Sequence, residues 1–423
     1  MMSVFLRLTL LSIFLFAPVV ILRAQDDTAA DSQQDRIVDG RPPLYTLKRD
    51  AHPLTWLELA FKPGFQLAES GWVRGLTMRK PDPDKKSGVG FGLGGNGTSS
   101  GFGPKVTFFN KDFLHRGIDI EVPLVYTYSR YQLYQFQASV PLGAQPLAQR
   151  LTFDVGASYD SRARDDYFGL GNDSSRPDER QLRTVTRGLS AGFSEKLSDD
   201  WKASVRVVYR RVGVTKPTTG FSAQDHFDAS TTPGLFGAAI GSAVFSIGRD
   251  TRAFENYSFK GGSDQMELSF NYSPGGKQFE YFRYHFDTHH FVHLTDDGRK
   301  VIAFHGLFET NQTVAGHDVP FFDMPFIGSG ETLRGFENFR FRDKSAAALT
   351  LEYRYRIWPA IDWGFFLDEG QVAPRVEDLA FNRFHTGYGA RLFIWPKSTV
   401  PISIDYGRSR ETWRLYFNFN TTF

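Results

Sequence analysis

The run from His285 to His293 contains His285, His289, His290 and His293, and imidazole is a common ligand for zinc. On an extended strand, residues four apart are separated by roughly 13 Å. His285, His289 and His293 then line one face without converging on a single ion. A metal site would need donors from neighbouring strands, so the expectation here is a polar wall without metal. Gly188-Leu189-Ser190-Ala191-Gly192 has the spacing of a hydrolase nucleophile elbow, which requires a strand-turn-helix setting. Here Ser190 shares the polar face of an alternating run with Thr184, Thr186 and Ser194, which leaves a serine hydrolase as a remote reading. Gly90-Phe91-Gly92-Leu93-Gly94-Gly95 matches a dinucleotide loop, but no strand precedes it and no helix follows. Gly88, Gly90, Gly92 and Gly94 instead fall on one face of a strand that would pair weakly. Asp165, Asp166 and Asp173 flank a Gly169-Leu170-Gly171 turn whose spacing does not form an EF-hand. No catalytic residue, cofactor or metal is expected.

The elements that carry these residues follow from composition. The chain has 423 residues, with 41 Phe, 17 Tyr, 7 Trp and 40 Gly but only 5 Met, which favours extended, aromatic-rich structure. Lys plus Arg (49) nearly balances Asp plus Glu (47), and a net charge of +2 offers no field to attract nucleic acid. The absence of cysteine excludes a disulfide scaffold, a thiolate metal site, a cysteine nucleophile and an acylated lipoprotein cysteine. Arg7, an apolar run from Leu8 to Leu22 and Ala24 before an acidic segment predict a signal peptide over 1–24. Residues 25–86 are polar and proline-dotted and read as a linker or plug.

From Gly88 onward, segments of about ten residues alternate apolar with polar. Leu349, Leu351, Tyr353, Tyr355 and Ile357 oppose Thr350, Glu352, Arg354 and Arg356. Phe282, Tyr284 and Phe286 oppose Arg283, His285 and Asp287. Trp413, Leu415, Phe417, Phe419 and Phe423 share one parity at the C-terminus. Two arrangements satisfy such strands: a soluble sandwich or propeller with an apolar core, or a barrel in lipid with a wet lumen. The export signal and the aromatic last strand favour the second. Inside a bilayer every strand edge must be paired, so the sheet has to close. The fold expected over 87–423 is all-β, a transmembrane antiparallel β-barrel of about sixteen strands in the outer membrane.

The stretch Phe326-Ile327-Gly328-Ser329-Gly330-Glu331-Thr332-Leu333-Arg334-Gly335-Phe336 fits neither helix nor strand. It resembles the sixth-loop motif of the bacterial surface antigen superfamily of outer-membrane barrels, of the BamA, TamA and FhaC type. Leu351-Glu352-Tyr353-Arg354, Phe366-Leu367-Asp368-Glu369-Gly370, Tyr388-Gly389-Ala390-Arg391-Leu392 and Ile404-Asp405-Tyr406-Gly407 resemble strands that follow the motif in that family. The resemblance implies a long sixth extracellular loop folded into the lumen, its Arg334 paired with acidic residues on the wall. Alternation independently turns Glu352 and Asp368 inward. Gly328, Gly330 and Gly335, with Leu333 and Phe336 beside them, complete the docking motif. The resemblance also implies a closing seam where the first strand, carrying Gly88, Gly90, Gly92 and Gly94, meets the last, carrying Phe417, Phe419 and Phe423.

Relatives that fold or move proteins carry periplasmic polypeptide-transport-associated (POTRA) domains, each longer than residues 25–86 hold comfortably, so this chain is expected to lack them. The implied role is non-enzymatic: protein insertion or translocation, or another step of outer-membrane biogenesis. The implied partners are outer-membrane lipid, client or periplasmic proteins of unknown identity, and an assembly machinery that reads the last strand. A passive pore for small solutes is the alternative.

Overall fold

The computed structural model describes residues 86–94, 101–143, 150–252, 258–275, 278–295, 298–358, 361–394 and 402–419. The expected signal peptide, nearly all of the segment over 25–86, and Phe423 lie outside the described residues.

Among the described residues eighteen strands follow one another: β1 (Ser87–Gly94), β2 (Gly103–Phe113), β3 (Ile118–Tyr126), β4 (Gln132–Pro141), β5 (Leu151–Tyr167), β6 (Arg180–Lys196), β7 (Trp201–Thr215), β8 (Gly237–Asp250) and β9 (Gly261–Tyr272). Then come β10 (Glu280–His293), β11 (Lys300–Thr313), the two-residue strands β12 (Phe326–Ile327) and β13 (Phe341–Arg342), β14 (Ser345–Trp358), β15 (Ile361–Ala373), β16 (His385–Ile394), β17 (Ile402–Ser409) and β18 (Trp413–Phe419). All but β12 and β13 belong to one 16-stranded antiparallel sheet, in which each strand pairs with the next wall strand in the chain. This is the wall of the expected outer-membrane barrel. An even number of alternating strands brings both ends of the wall to the same side, and the sixth connection on the opposite side is the long segment 314–344.

Side-chain exposure follows the two-residue period. Val205 and Val207 on β7, Leu351 on β14, Phe365 on β15 and Phe417 on β18 are exposed on one parity, and Glu352, Arg354 and Asp368 are buried on the other. An apolar surface facing outward and a charged, buried interior invert the order of a soluble protein and suit a barrel with lipid outside. Among the described residues no helix is long and apolar enough to cross a membrane; the strands make the crossing. Apolar packing concentrates where the connecting loops meet the wall. One cluster joins Ile327, Leu333, Phe336 and Phe341 of the long connection to Ala346, Ala348 and Val372. Another joins Tyr167, Leu182, Val212, Val214 and Leu235 to Phe321.

The lipid-facing assignment of β7 is testable. Val207, near the middle of the strand, has 61 % of its surface exposed. Val207→Arg is expected to destabilise the micelle-embedded barrel by about 2–4 kcal/mol in denaturant unfolding. The neighbouring lumen-side change Val208→Thr is expected to cost less than about 1 kcal/mol. Equal costs would contradict the assignment.

Candidate functional site: the docked sixth loop

The connection 314–344 turns into the lumen as a hairpin. Its arms pair through β12 and β13, with Phe326 opposite Arg342 and Ile327 opposite Phe341. Gly328 (φ +102) and Gly335 (φ +89) occupy the left-handed region that favours glycine. Both are also crowded: a β-carbon at Gly335 would lie 2.5 Å from the carbonyl carbon of Arg408, and one at Gly328 would lie 2.4 Å from the carbonyl oxygen of Glu337. Gly335 is therefore required by backbone geometry and by proximity to the wall, and Gly328 by backbone geometry and by the loop's own returning arm.

Arg334 sits in the turn of the hairpin, at its inserted tip, and is 2 % exposed. Its Nε donates to Asp368 Oδ2 at 2.8 Å and its Nη2 to Asp368 Oδ1 at 2.7 Å, a bidentate fork that an ammonium cannot copy. Its backbone N–H also donates to Asp368, at 3.0 Å. Nη1 donates to Glu352 Oε2 at 3.4 Å and lies 3.6 Å from Asp405 Oδ2. The guanidinium carbon is 3.2 Å from the centroid of the Phe366 ring, a cation–π contact. Glu352 and Asp405 hold the arginines behind this one: Arg354 donates to Glu352 at 2.6 Å, and Arg391 lies 3.2 Å from Glu352 and donates to Asp405 at 2.5 and 2.7 Å.

Strand register explains how the wall receives the loop. Thr350, Asp368, Gly387 and Ser409 form one cross-strand row, and Glu352, Phe366, Gly389 and Gly407 form the next. Glycines thus stand directly beside the acids. A β-carbon at Gly387 would lie 2.2 Å from the Arg334 carbonyl oxygen, and one at Gly407 would lie 2.8 Å from the Gly335 nitrogen. At Gly389 a β-carbon would lie 2.6 Å from the Phe366 ring. These three glycines form a pit in which the loop backbone and the ring under the guanidinium rest.

Sequence reasoning placed Arg334, Glu352 and Asp368 together; it missed Asp405, Phe366 and the glycine pit. It also missed a second anchor. Asp323 accepts from Arg210 on β7 at 2.5 Å and from the Tyr281 hydroxyl on β10, fixing the opposite shoulder of the hairpin. On the extracellular side Arg340 donates to Glu411 and to Ser174, and Gly171 N–H donates to the Arg342 carbonyl, so the Gly169–Gly171 turn clamps the loop. Glu337 is held by Arg176 and Arg414, each at 2.9 Å. Burial raises the pKa of Glu337, but the hydrogen bonds and charge of Arg176, aided by Arg414, outweigh it and leave the carboxyl below its ordinary range. A depressed carboxyl stabilises the fold above its unfolded pKa, and that contribution is lost as pH falls through the folded value.

The remaining motif residues are placed as follows. Gly330 packs against Tyr416, and Leu333 and Phe336 are fully buried. On β1, Gly88, Gly90 and Gly94 alternate with the exposed Val89 and Phe91, and the Phe109 ring lies over Gly88, 3.1 Å from where its β-carbon would be. Gly92 falls within the same strand, opposite Lys105. Phe417 is exposed at the outer face of β18, which ends at Phe419. Among the described residues β1 and β18 each pair with one neighbour only. Ser190 stands on β6 opposite Gly156 and Val208, and no histidine or carboxylate is hydrogen-bonded to it among the described residues.

Removing the fork should release the loop. Breaking a buried pair from one side costs about 3–5 kcal/mol. Arg334→Ala is therefore expected to leave the barrel heat-modifiable while external protease cuts within 316–344 far faster than in the parent, with Arg334→Lys intermediate. Gly387→Ala, which leaves every charge in place, is expected to mimic Arg334→Ala. Identical digestion of all four proteins would refute the docking geometry.

The comparisons with known proteins agree with this architecture. The Omp85 superfamily domain matches residues 112–423. Among solved structures, BamA from Haemophilus ducreyi lacking POTRA domains 1-3 superposes with a TM-score of 0.61 at 13% identity, covering 85% of this chain and 78% of that one. CdiB from Escherichia coli gives a TM-score of 0.53 at 13% identity, covering 80% of this chain and 63% of that one. CdiB from Acinetobacter baumannii gives 0.50 at 12% identity, covering 80% and 60%. The chain thus spans somewhat under two thirds of either CdiB. No curated protein sequence matches. With a 16-stranded wall, an arginine-anchored sixth loop and a domain match over residues 112–423, the chain belongs to the Omp85 superfamily of outer-membrane β-barrels.

Proposed function

We propose that this barrel assists the insertion or translocation of other polypeptides at the outer membrane and is not an enzyme. The observation that supports this reading best is the sixth loop itself, which is held inside the lumen by charges with almost no access to water. A loop fixed in this way leaves the interior stable, which a barrel that works at its wall needs while an edge opens. The edges are β1 and β18. β1 is eight residues long and half glycine, so little side-chain packing resists its separation. An exposed edge offers unpaired backbone donors and acceptors to an incoming client strand. In this reading Arg334, Glu352 and Asp368 keep the long loop docked, Gly88, Gly90, Gly92 and Gly94 soften one edge, and the strand carrying Phe417 and Phe419 supplies the other. The clients this reading requires are unfolded outer-membrane or exported chains.

Proteoliposomes assayed in parallel for ion conductance and for folding of an added unfolded barrel separate the two functions. The proposal predicts faster folding of the added barrel than in empty liposomes, with low steady conductance. Arg334→Ala should lower the first and raise the second. Steady conductance with no effect on folding would establish the passive pore instead.

A further inference from the structure

The histidine-bearing run on β10 lies beneath the hairpin, and strand pairing brings a second imidazole to it. His289 on β10 lies directly opposite His305 on β11 in the strand register, and Asp287 precedes His289 by two residues on the same face. His305 Nε2 is 3.1 Å from Asp287 Oδ2, and His289 Nδ1 is 3.5 Å from Asp287 Oδ1. The two imidazole rings are 4.2 Å apart between centroids. One ligand atom from each of the three residues can be chosen so that all lie within 4.8 Å of one another. We infer that Asp287, His289 and His305 form a lumenal site for a divalent transition metal of the zinc class.

Three physical points carry this. First, ligands about 2.0–2.2 Å from a tetrahedral ion stand roughly 3.3–3.6 Å from each other, close to the two nitrogen–oxygen separations here. Two of the three ligand pairs thus stand near their coordinated spacing, each through its own Asp287 oxygen, and all three lie within 4.8 Å. Second, two imidazoles and one carboxylate suit Zn²⁺, Cu²⁺, Ni²⁺ or Fe²⁺, whereas Ca²⁺ and Mg²⁺ prefer all-oxygen shells. Third, neighbouring guanidinium groups are committed to other acids: Arg283 to Glu309 at 2.7 Å and Arg252 to Asp250 at 2.7 Å. Among the described residues the ion-pair partners of Asp287 are the two imidazoles. All three side chains border a cavity of about 570 Å³ beneath the hairpin, shared with Arg210, Met324 and Thr332. It has room for a water or a small anion as fourth ligand. An ion held here would tie β10 to β11 on the lumen side. The spacing of the histidines along β10 could not show this, because the second imidazole comes from the neighbouring strand.

The test uses the full chain without a histidine tag, folded in detergent micelles and stripped with chelator. Calorimetric titration with ZnCl₂ is expected to show one ion per chain, and Co²⁺ should give the absorption of a tetrahedral N/O site, abolished by added Zn²⁺. His289→Gln, His305→Gln and the near-isosteric Asp287→Asn should each weaken Zn²⁺ binding at least tenfold, since even residues behind the ligands typically contribute about 10–100-fold. His293→Ala, four residues along the same strand, should bind as the parent does. In the unmutated protein, bound Zn²⁺ should protect His289 and His305, but not His293, from carbethoxylation read by peptide mass mapping, which requires no variant to fold. Absence of binding, equal binding by the three variants, equal competition by Ca²⁺ or Mg²⁺, or no selective protection would each overturn the assignment.

Discussion

A guanidinium withdrawn from water loses several kcal/mol of solvation, and only closely fitted negative charge can return it. Arg334 depends on that balance, and the lumen wall from β14 to β17 is arranged to supply it. Arg334, Arg354 and Arg391 face Glu352, Asp368 and Asp405, three positive charges against three negative ones, all almost completely buried. Because the set is neutral only when the loop is docked, removing Arg334 from it would leave a net negative charge in the wall. The loop is thus a member of the wall's charge network, and the hairpin above it has one preferred position.

The glycine pit is the steric counterpart of this arrangement. A charge network of this kind needs close approach, since the interaction decays with distance and with entry of water. Side chains at 387, 389 and 407 would hold the loop backbone or the Phe366 ring off the wall. Placing the acids on one set of cross-strand positions and glycines on the set beside them gives both attraction and access. The opposite wall is built differently: Gly156 faces Ser190 and Ser158 faces Gly188, so small polar side chains leave a groove of about 380 Å³ there. The lumen is therefore divided into a side that holds the loop and a side that stays open.

How much of this could be read from the sequence depended on which kind of regularity a feature obeys. Alternation within a strand is local, so the wall strands, the outward Leu351 and Phe417, and the inward Glu352 and Asp368 were legible. Register between strands is not local. Asp405 joins Arg334 only because β16 and β17 pair Arg391 with Asp405, and His305 meets His289 only through the pairing of β10 with β11. The same limit hid the pit: Gly387, Gly389 and Gly407 belong to an ordinary alternating pattern until cross-strand pairing puts them beside the acids. Phe366 was hidden for another reason, because an aromatic at an inward position contradicts the simple polar-inside pattern. Its presence there makes sense only with a guanidinium resting on its face.

The last wall strand shows what the docked loop can control. β18 has seven described residues, which pair with β17. Its inward face is tied to the loop. Tyr416 Oη accepts from the Gly335 N–H at 3.0 Å and donates to the Phe336 carbonyl at 3.2 Å, and Arg414 pairs with Glu337 at 2.9 Å. Ser409 on β17 donates to the Gly335 carbonyl at 2.7 Å. Each of these bonds joins the edge of the sheet to the residues immediately after Arg334. Two groups bound to the same two-state element are coupled, and the coupling is reciprocal in free energy. Whatever stabilises the docked loop therefore stabilises β18 in its place, and whatever draws β18 away weakens the hold of Asp368 and Glu352 on Arg334. The buried fork and these bonds thus join the loop and the last described strand into one unit.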